Sequence, residues 1–238
     1  MNKITIKMGN YPQNCGLEKE PVEWMVLREE KHRCLCISKY LLDCQPYHHL
    51  PGRVTWQNCT LRNWLNHEFL MTAFSNEERE KILLSDVINP AKNTQDYIFL
   101  LSTDEVETYF DDETEDYVEY DERQALTTSY ARAQGAWFLD EHCEDDNKGC
   151  WWLRYYGKHY QQEEGNYDFM SCVNFDGSIE RAAQGVEETD CCIRPAFWLR
   201  NEIGESAAGG LHKYANPSLI EQQKDAWRKA AVKKYVGK

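Results

Sequence analysis

The sequence predicts an α+β fold built on a twisted antiparallel sheet, with two or three helices and long loops. Two aromatic segments in the second half, Trp151–Arg154 and Ile193–Arg200, are rich in residues that suit a pleated, half-buried surface. In the first half, short alternations of apolar and polar residues are typical of further strands. Apolar residues recur at helical spacing through residues 60–74, which indicates at least one amphipathic helix.

The first half of the chain contains four predicted strands, residues 4–8, 22–26, 34–37 and 97–101. Apolar side chains occupy every second position in the first two, whereas the other two are short apolar runs. The polar run Glu29–His32 predicts the turn between the second strand and the third.

Capping residues mark the predicted helix starts. Ser75 with Glu78, and Ser102 with Glu105, each fit the capping box, in which the two side chains bond each other's backbone amides. Thr60 is the predicted cap of the first helix. The predicted helices cover residues 60–74, 75–84, 102–110 and 127–134.

A tyrosine-rich loop lies between the two aromatic segments. Residues 155–168 include four tyrosines among polar residues, and a hairpin with a tight turn at Asp176–Gly177 follows. Tyrosine gives a large contact area at little entropic cost, which favours its use in recognition loops. The alternative is a solvated loop with tyrosines lying flat on the surface. The candidate ligand-binding residues are Tyr155, Tyr156, Lys158, His159, Tyr160, Gln162, Tyr167 and Asn174.

Two arginines follow apolar residues in segments predicted to be buried. Arg154 and Arg194 must each find carboxylate or carbonyl partners there, because an unpaired buried charge is costly. We interpret them, with Trp152 and Trp198, as a structural brace for the loop ends. The alternative is an anion or carboxylate clamp beneath the loop.

The composition limits the classes of partner. A net charge of −13 argues against general affinity for nucleic acid, and no stretch resembles a membrane span. The N-terminal residues lack an apolar signal core, so we expect a cytoplasmic protein. The glycine-rich nucleotide motifs are missing as well, and we predict no cofactor. The expected partner is an unknown protein or small-molecule ligand.

The sequence has ten cysteines, and none of them forms a CxxC pair. The default interpretation is that the cysteines are reduced and that their thiols are buried. A zinc site formed by Cys44, His48, His49 and Cys59 is a weak alternative, because its spacing fits no strong template. We therefore predict no metal ion. The acidic stretch Asp104–Glu122 is interpreted as a solvated insertion, since it lacks the glycine of a calcium-binding EF-hand loop.

The chain changes character after Arg200. We predict a domain over residues 1–200, a linker over residues 201–216 and a basic C-terminal helix over residues 217–238. This last segment carries six Lys or Arg against two acidic residues. It is expected either to dock on its own domain or to bind a partner through Trp227.

Seven separated motifs stand out along the chain: Gly9–Gln13, Glu20–Trp24, Ile37–Tyr40, Thr55–Arg62, Trp151–Arg154, Asp176–Ser178 and Arg194–Leu199. They occur in the order found in a bacterial family of domains of unknown function, family 6273, which the sequence resembles over about residues 3–200. The chain departs from the family at Tyr155–Tyr156, where Ser-Pro is usual, and at Cys192, where Gly is usual.

The resemblance implies a C-type-lectin-like fold, shared with formylglycine-generating enzymes and with the variable proteins of diversity-generating retroelements. We therefore expect a non-catalytic recognition domain that displays the tyrosine-rich loop. One alternative is an oxidoreductase that uses Cys191 and Cys192. Another is an interaction module that acts through the C-terminal helix.

Overall fold

The computed structural model contains two five-stranded sheets, and the longest strands alternate between buried and more exposed residues. The structure describes residues 4–50, 52, 54–110, 122–138, 147–155 and 168–201. The strands are β1 (Thr5–Pro12), β2 (Lys19–Glu30), β3 (Arg33–Ser38), β4 (Asp43–Cys44), β5 (Ile82–Leu83), β6 (Ser85–Val87), β7 (Thr94–Asp96), β8 (Trp151–Trp152), β9 (Phe169–Val173), β10 (Ile179–Gly185), β11 (Cys192–Ile193) and β12 (Ala196–Arg200). The helices are α1 (Thr60–Trp64), a π-helical turn (Leu65–Phe69), α2 (Leu70–Ala73), α3 (Asn76–Arg79), α4 (Thr103–Phe110) and α5 (Ser129–Ala133).

The first sheet has the strand order β1-β2-β3-β12-β5 and is antiparallel throughout. The second has the order β10-β9-β8-β11-β4 and is antiparallel except for the parallel pair β8–β11. Strands β6 and β7 form a separate hairpin. The described chain is thus mostly β with a few short helices, an α+β fold as predicted.

Every second side chain in the centre of β2 points into the core beneath the first sheet. Val22, Trp24 and Val26 are buried, and the residues between them are more exposed. The Trp24 ring contacts Phe197 on β12 at 4.7 Å and Phe74 at 5.8 Å between centroids. Its indole N–H donates to the Met8 carbonyl at 2.7 Å, so the buried polar atom is satisfied.

Strand β1 is longer than predicted. It continues past Gly9 to Pro12, with an irregular register between Lys7 and Asn10. Gly9 has φ of +70°, and a Cβ there would lie 2.7 Å from the Ala73 carbonyl oxygen. Glycine therefore lets the strand bulge against α2, whereas the sequence pattern indicated a stop.

The first predicted helix forms over residues 60–73, but its cap is Cys59 rather than Thr60. Cys59 has extended backbone angles, and its sulfur accepts from the Arg62 amide at 3.4 Å. Thr60 is instead the first helical residue. A π-helical turn interrupts the helix at its centre.

The second predicted helix begins as expected and ends early. The capping box of Ser75 and Glu78 is present, yet α3 stops at Arg79 rather than near residue 84. Ile82 and Leu83 pair with β12 instead, so pairing within the sheet overrides the helical pattern.

The predicted strand 97–101 does not form as a regular strand, because Tyr97 and Ile98 lie in a bend. The neighbouring β7 forms a hairpin with β6, and Phe99 makes only an isolated bridge to Ala196. The predicted capping box at the start of α4 is confirmed. The Ser102 amide donates to the Glu105 carboxylate at 2.7 Å, and the Glu105 amide donates to the Ser102 hydroxyl at 3.2 Å.

The second sheet is centred on two fully buried tryptophans. The Trp151 indole donates to the Arg123 carbonyl at 3.1 Å, and the Trp152 indole donates to the Gln45 carbonyl at 2.9 Å. These bonds fix β8 to segments outside the sheet.

Apart from Asn201, the predicted linker lies outside the described residues, as do the predicted C-terminal helix and most of the acidic stretch. In the parts of the chain that the structure describes, no helix has the length and apolarity that crossing a membrane requires.

Candidate recognition site

The tyrosine-rich segment connects two neighbouring strands of the second sheet. Trp151 pairs with Val173 and Trp152 with Cys172, and the Leu153 amide donates to the Ser171 carbonyl at 2.9 Å. Beyond Leu153 the chain turns from β9 to the segment before α4, where the Arg154 amide donates to the Leu101 carbonyl at 2.8 Å. Residues 156–167, which we call the recognition segment, lie in the connection between β8 and β9.

Tyr155 anchors the first end of this segment and is not displayed on the surface as the sequence suggested. It is only 7% exposed, and its hydroxyl donates to Asp104 on α4 at 3.1 Å. Its carbonyl accepts from the Thr103 hydroxyl at 2.9 Å. Burial raises the pKa of Tyr155, which keeps the hydroxyl protonated as a donor.

Asp168 anchors the second end. Its carboxylate accepts from the Gly52 amide at 2.7 Å, and its carbonyl accepts from the Val186 amide at 2.8 Å. Both ends of the recognition segment are thus held by contacts to other parts of the chain.

Of the remaining candidate ligand-binding residues, only Asn174 is described. It lies at the far end of β9 from the recognition segment and bonds Glu180 across the hairpin turn. Asn174 is therefore separated from the predicted site by the length of β9, since a strand advances by about 3.3 Å per residue. Tyr156, Lys158, His159, Tyr160, Gln162 and Tyr167 lie outside the described residues.

Arg154 holds the base of the recognition segment to two other elements. Its guanidinium donates to Glu105 on α4 at 2.9 Å, to Asn89 at 3.0 Å and to the Ile88 carbonyl at 3.1 Å. The Tyr47 hydroxyl donates to the Arg154 carbonyl at 2.8 Å. A guanidinium with this many internal partners is suited to bracing rather than to clamping an anion.

Arg194 lies fully buried at the junction between β11 and β12. It donates to the Ser38 carbonyl at 3.1 Å and to the Arg123 carbonyl at 3.0 Å. The rings of Trp151 and Phe110 lie 5.0 Å and 5.4 Å from its guanidinium carbon. Burial lowers the pKa of Arg194 to about 9.

Trp198, the remaining residue of the predicted brace, is half-buried on β12. The Arg33 guanidinium lies 4.0 Å from its ring centroid on the neighbouring β3. Strand β12 lies in the first sheet, whereas the recognition segment connects β8 and β9 of the second, so Trp198 contacts the first sheet and is not part of a brace at the loop ends.

Two buried carboxylates were not predicted from the sequence. Asp96 accepts from the Trp56 indole at 2.9 Å, from Arg62 at 2.6 Å and from the Thr94 hydroxyl at 2.6 Å. The motif Thr55–Arg62 was the available signal, since it supplies a tryptophan and an arginine that need a common acceptor.

Asp43 is the second buried carboxylate. It accepts hydrogen bonds from the Tyr11 hydroxyl and from the Cys44 amide. Burial raises the pKa of Asp43 despite these donors. The bond from Tyr11 joins β1 of the first sheet to β4 of the second.

The adjacent Cys191 and Cys192, at the start of β11, have different thiol neighbours. Cys191 neighbours the Cys150 and Cys172 thiols, and Cys192 neighbours Cys44. Both are fully buried, and the pKa of each thiol is raised, by burial at Cys191 and first by its hydrogen bond with Cys44 at Cys192. Neither has the accessible, electropositive setting of a reactive thiolate.

The weak zinc candidate is not assembled. The Cys59 sulfur caps α1, and the His48 ring accepts from the Thr60 amide at 3.2 Å. Within the described ranges, no three His, Cys, Asp or Glu side chains are grouped so as to hold a metal ion.

These features define a class of protein: an α+β domain in which both ends of a connection between two paired strands are held by hydrogen bonds to other parts of the chain. The profile of the family described as a domain of unknown function (DUF6273) matches residues 31–201, and the chain belongs to this family. No curated protein matches the chain, and no solved structure does.

Proposed function

We propose that this protein is a recognition domain that binds a protein or small-molecule ligand through the recognition segment. The supporting observation is that both ends of residues 156–167 are fixed, at Tyr155 by α4 and at Asp168 by Gly52 and Val186. Loops on rigid scaffolds bind well because little of the scaffold has to be ordered on binding.

The chemistry of the segment fits this role. It contains Tyr156, Tyr160 and Tyr167 among histidine, lysine, glutamine and glutamate residues. Such a mixture combines large rigid contact areas with adaptable hydrogen-bonding groups, as in antibody paratopes.

A C-type-lectin-like scaffold, including a variable protein of a diversity-generating retroelement, is part of this proposal. It draws on the motifs at Trp151–Arg154 and Arg194–Leu199, which include internal strands of the two sheets. The proposed function rests on the fixed ends of the recognition segment, because a shared fold alone does not define a function. Thiol oxidation is not proposed, because Cys191 and Cys192 are both buried with raised pKa values.

The experiment is a selection of peptides from a displayed library against the full-length protein, followed by calorimetric titration of the best peptide. Tyr156, Tyr160 and Tyr167 are then replaced together by alanine. We expect the affinity to fall by about 100-fold or more, since buried tyrosines dominate such interfaces. The unfolding midpoint is expected to stay the same.

The control is Trp137→Ala. Trp137 is 43% exposed and lies beside Phe175, beyond the far end of β9, with 5.3 Å between ring centroids. Its replacement is expected to leave peptide affinity unchanged. Full affinity in the folded triple variant, or equal losses in both variants, would rule out the recognition segment as the binding site.

A further inference from the structure

The β6–β7 hairpin exposes an apolar outer face. Leu84 and Ile88, at either end of β6, are 50% and 54% exposed, and Asp86 lies outward between them. Tyr97, just past β7, is 37% exposed and lies across the hairpin from Leu84. We call Leu84, Asp86, Ile88 and Tyr97 the hairpin face. Exposed apolar clusters of this kind mark interaction surfaces.

The hairpin face is held rigidly from behind. Asp96 on the inner side bonds Trp56 and Arg62, and Arg154 donates to the Ile88 carbonyl. A partner that covers this face therefore meets a preformed surface, which lowers the entropic cost of binding.

The chain leaves its last described strand beside Lys81, three residues before Leu84, because β12 runs antiparallel to β5. The amide of Arg200, at the end of β12, donates to the Lys81 carbonyl at 2.9 Å, and Leu199 pairs with Ile82 on β5. Strand β5 leads directly into Leu84. The length of residues 202–216 corresponds to a span of roughly 20 Å, so residues 217–238 are within reach of the hairpin face.

The sequence of residues 217–238 complements the face in polarity and dimensions. Ile220, Lys224 and Trp227 recur at the spacing of one helical side, and Lys224 lies between the two apolar residues. On the face, Asp86 likewise lies between Leu84 and Ile88. Seven helical residues span about 10 Å, and four strand residues span about 13 Å.

We propose that residues 217–238 bind the hairpin face of the same chain. Trp227 and Ile220 cover Leu84, Ile88 and Tyr97, and Lys224 pairs with Asp86. The short connection gives an effective concentration on the order of millimolar, which favours the same chain over a second copy. The basic charge of the segment further favours binding to an otherwise acidic chain.

The test places a benzophenone-bearing photoreactive amino acid at Ile88 in the full-length protein. After irradiation, the monomer band is digested and crosslinked peptides are identified by mass spectrometry. We expect the principal crosslinked peptide to come from residues 217–238. The matched control places the same amino acid at Leu17, which is 83% exposed in the β1–β2 turn at the opposite edge of the first sheet. The same replacement at Leu84 keeps the test valid if the variant at position 88 does not fold.

Charge exchange then tests the pairing. Asp86→Lys is expected to lower the crosslinking yield about fivefold, and adding Lys224→Asp is expected to restore it. A yield no higher than at position 17 would overturn the proposal. So would crosslinks confined to dimers, or a yield that Asp86→Lys leaves unchanged.

Discussion

The Tyr155 hydroxyl is expected to contribute to stability rather than to ligand binding. Tyr155→Phe removes the donor to Asp104 and keeps the ring, so the free energy of unfolding should fall by about 1 kcal/mol. Tyr155→Ala also removes the buried ring and should cost about 4 kcal/mol. Urea unfolding measures both, and titration with the selected peptide measures binding. A Tyr155→Phe protein of reduced affinity and unchanged stability would contradict this assignment.

The burial of Tyr155 could not be predicted from the sequence. Four tyrosines share one polar stretch, and nothing local distinguishes the first of them. Its partner Asp104 lies 51 residues earlier on α4. The position of α4 next to the end of β8 is what identifies Tyr155 as an anchoring residue, and this position is known only from the structure.

The hydrogen bond from Tyr11 to Asp43 is expected to stabilise the folded protein by an amount that depends on pH. Tyr11→Phe leaves a buried carboxylate with one donor fewer, which should cost about 2 kcal/mol near neutral pH. Burial already raises the pKa of Asp43 above its ordinary 3.8, and loss of the Tyr11 hydrogen bond raises it further. The folded state then binds its proton more tightly, so the deficit should shrink as the pH falls towards 3.8.

Urea unfolding of wild type and Tyr11→Phe across this acidic range measures the difference. Asp43→Asn is the companion variant, because it removes the titrating group from the same position. If the deficit of Tyr11→Phe were independent of pH, the hydroxyl would not be stabilising an ionised Asp43.

Asp96 is expected to stabilise the β6–β7 hairpin more than the exposed Asp86 does. Asp96→Asn weakens the bond to Arg62 and leaves that guanidinium without its carboxylate, at an expected cost of about 3 kcal/mol. Asp86→Asn on the exposed side of the same hairpin should change stability by less than about 0.5 kcal/mol. Thermal unfolding compares the two, and equal effects would contradict the central role of Asp96.

Local signals located the starts of elements better than their ends. Ser75 and Glu78 define the start of α3 correctly, because capping involves neighbours in sequence. The end of α3 depends on pairing of Ile82 and Leu83 with β12, more than a hundred residues away. The strand pattern in β2 was clear for the same local reason, since alternation reports one buried face directly.

Across the whole molecule, the closing segment belongs to both sheets. β11 lies in the second sheet and β12 in the first, and only Arg194 and Pro195 separate them. Arg194 bonds carbonyls of Ser38 and Arg123 at this crossing. The motif Arg194–Leu199 therefore carries the connection between the sheets, and its buried arginine bonds the backbone where the chain passes from β11 to β12.

The scaffold is expected to fold without the recognition segment. Because β8 and β9 already lie side by side at Leu153 and Ser171, a shorter glycine–serine linker should replace residues 156–167 without disrupting the sheet. Loop-closure entropy varies slowly with length, so stability should change by only about 1 kcal/mol. Hydrogen exchange at β8 and β9 should remain slow, and binding of the selected peptide should be lost. Loss of cooperative unfolding would instead assign residues 156–167 to the core, and the protein would then need a different binding surface.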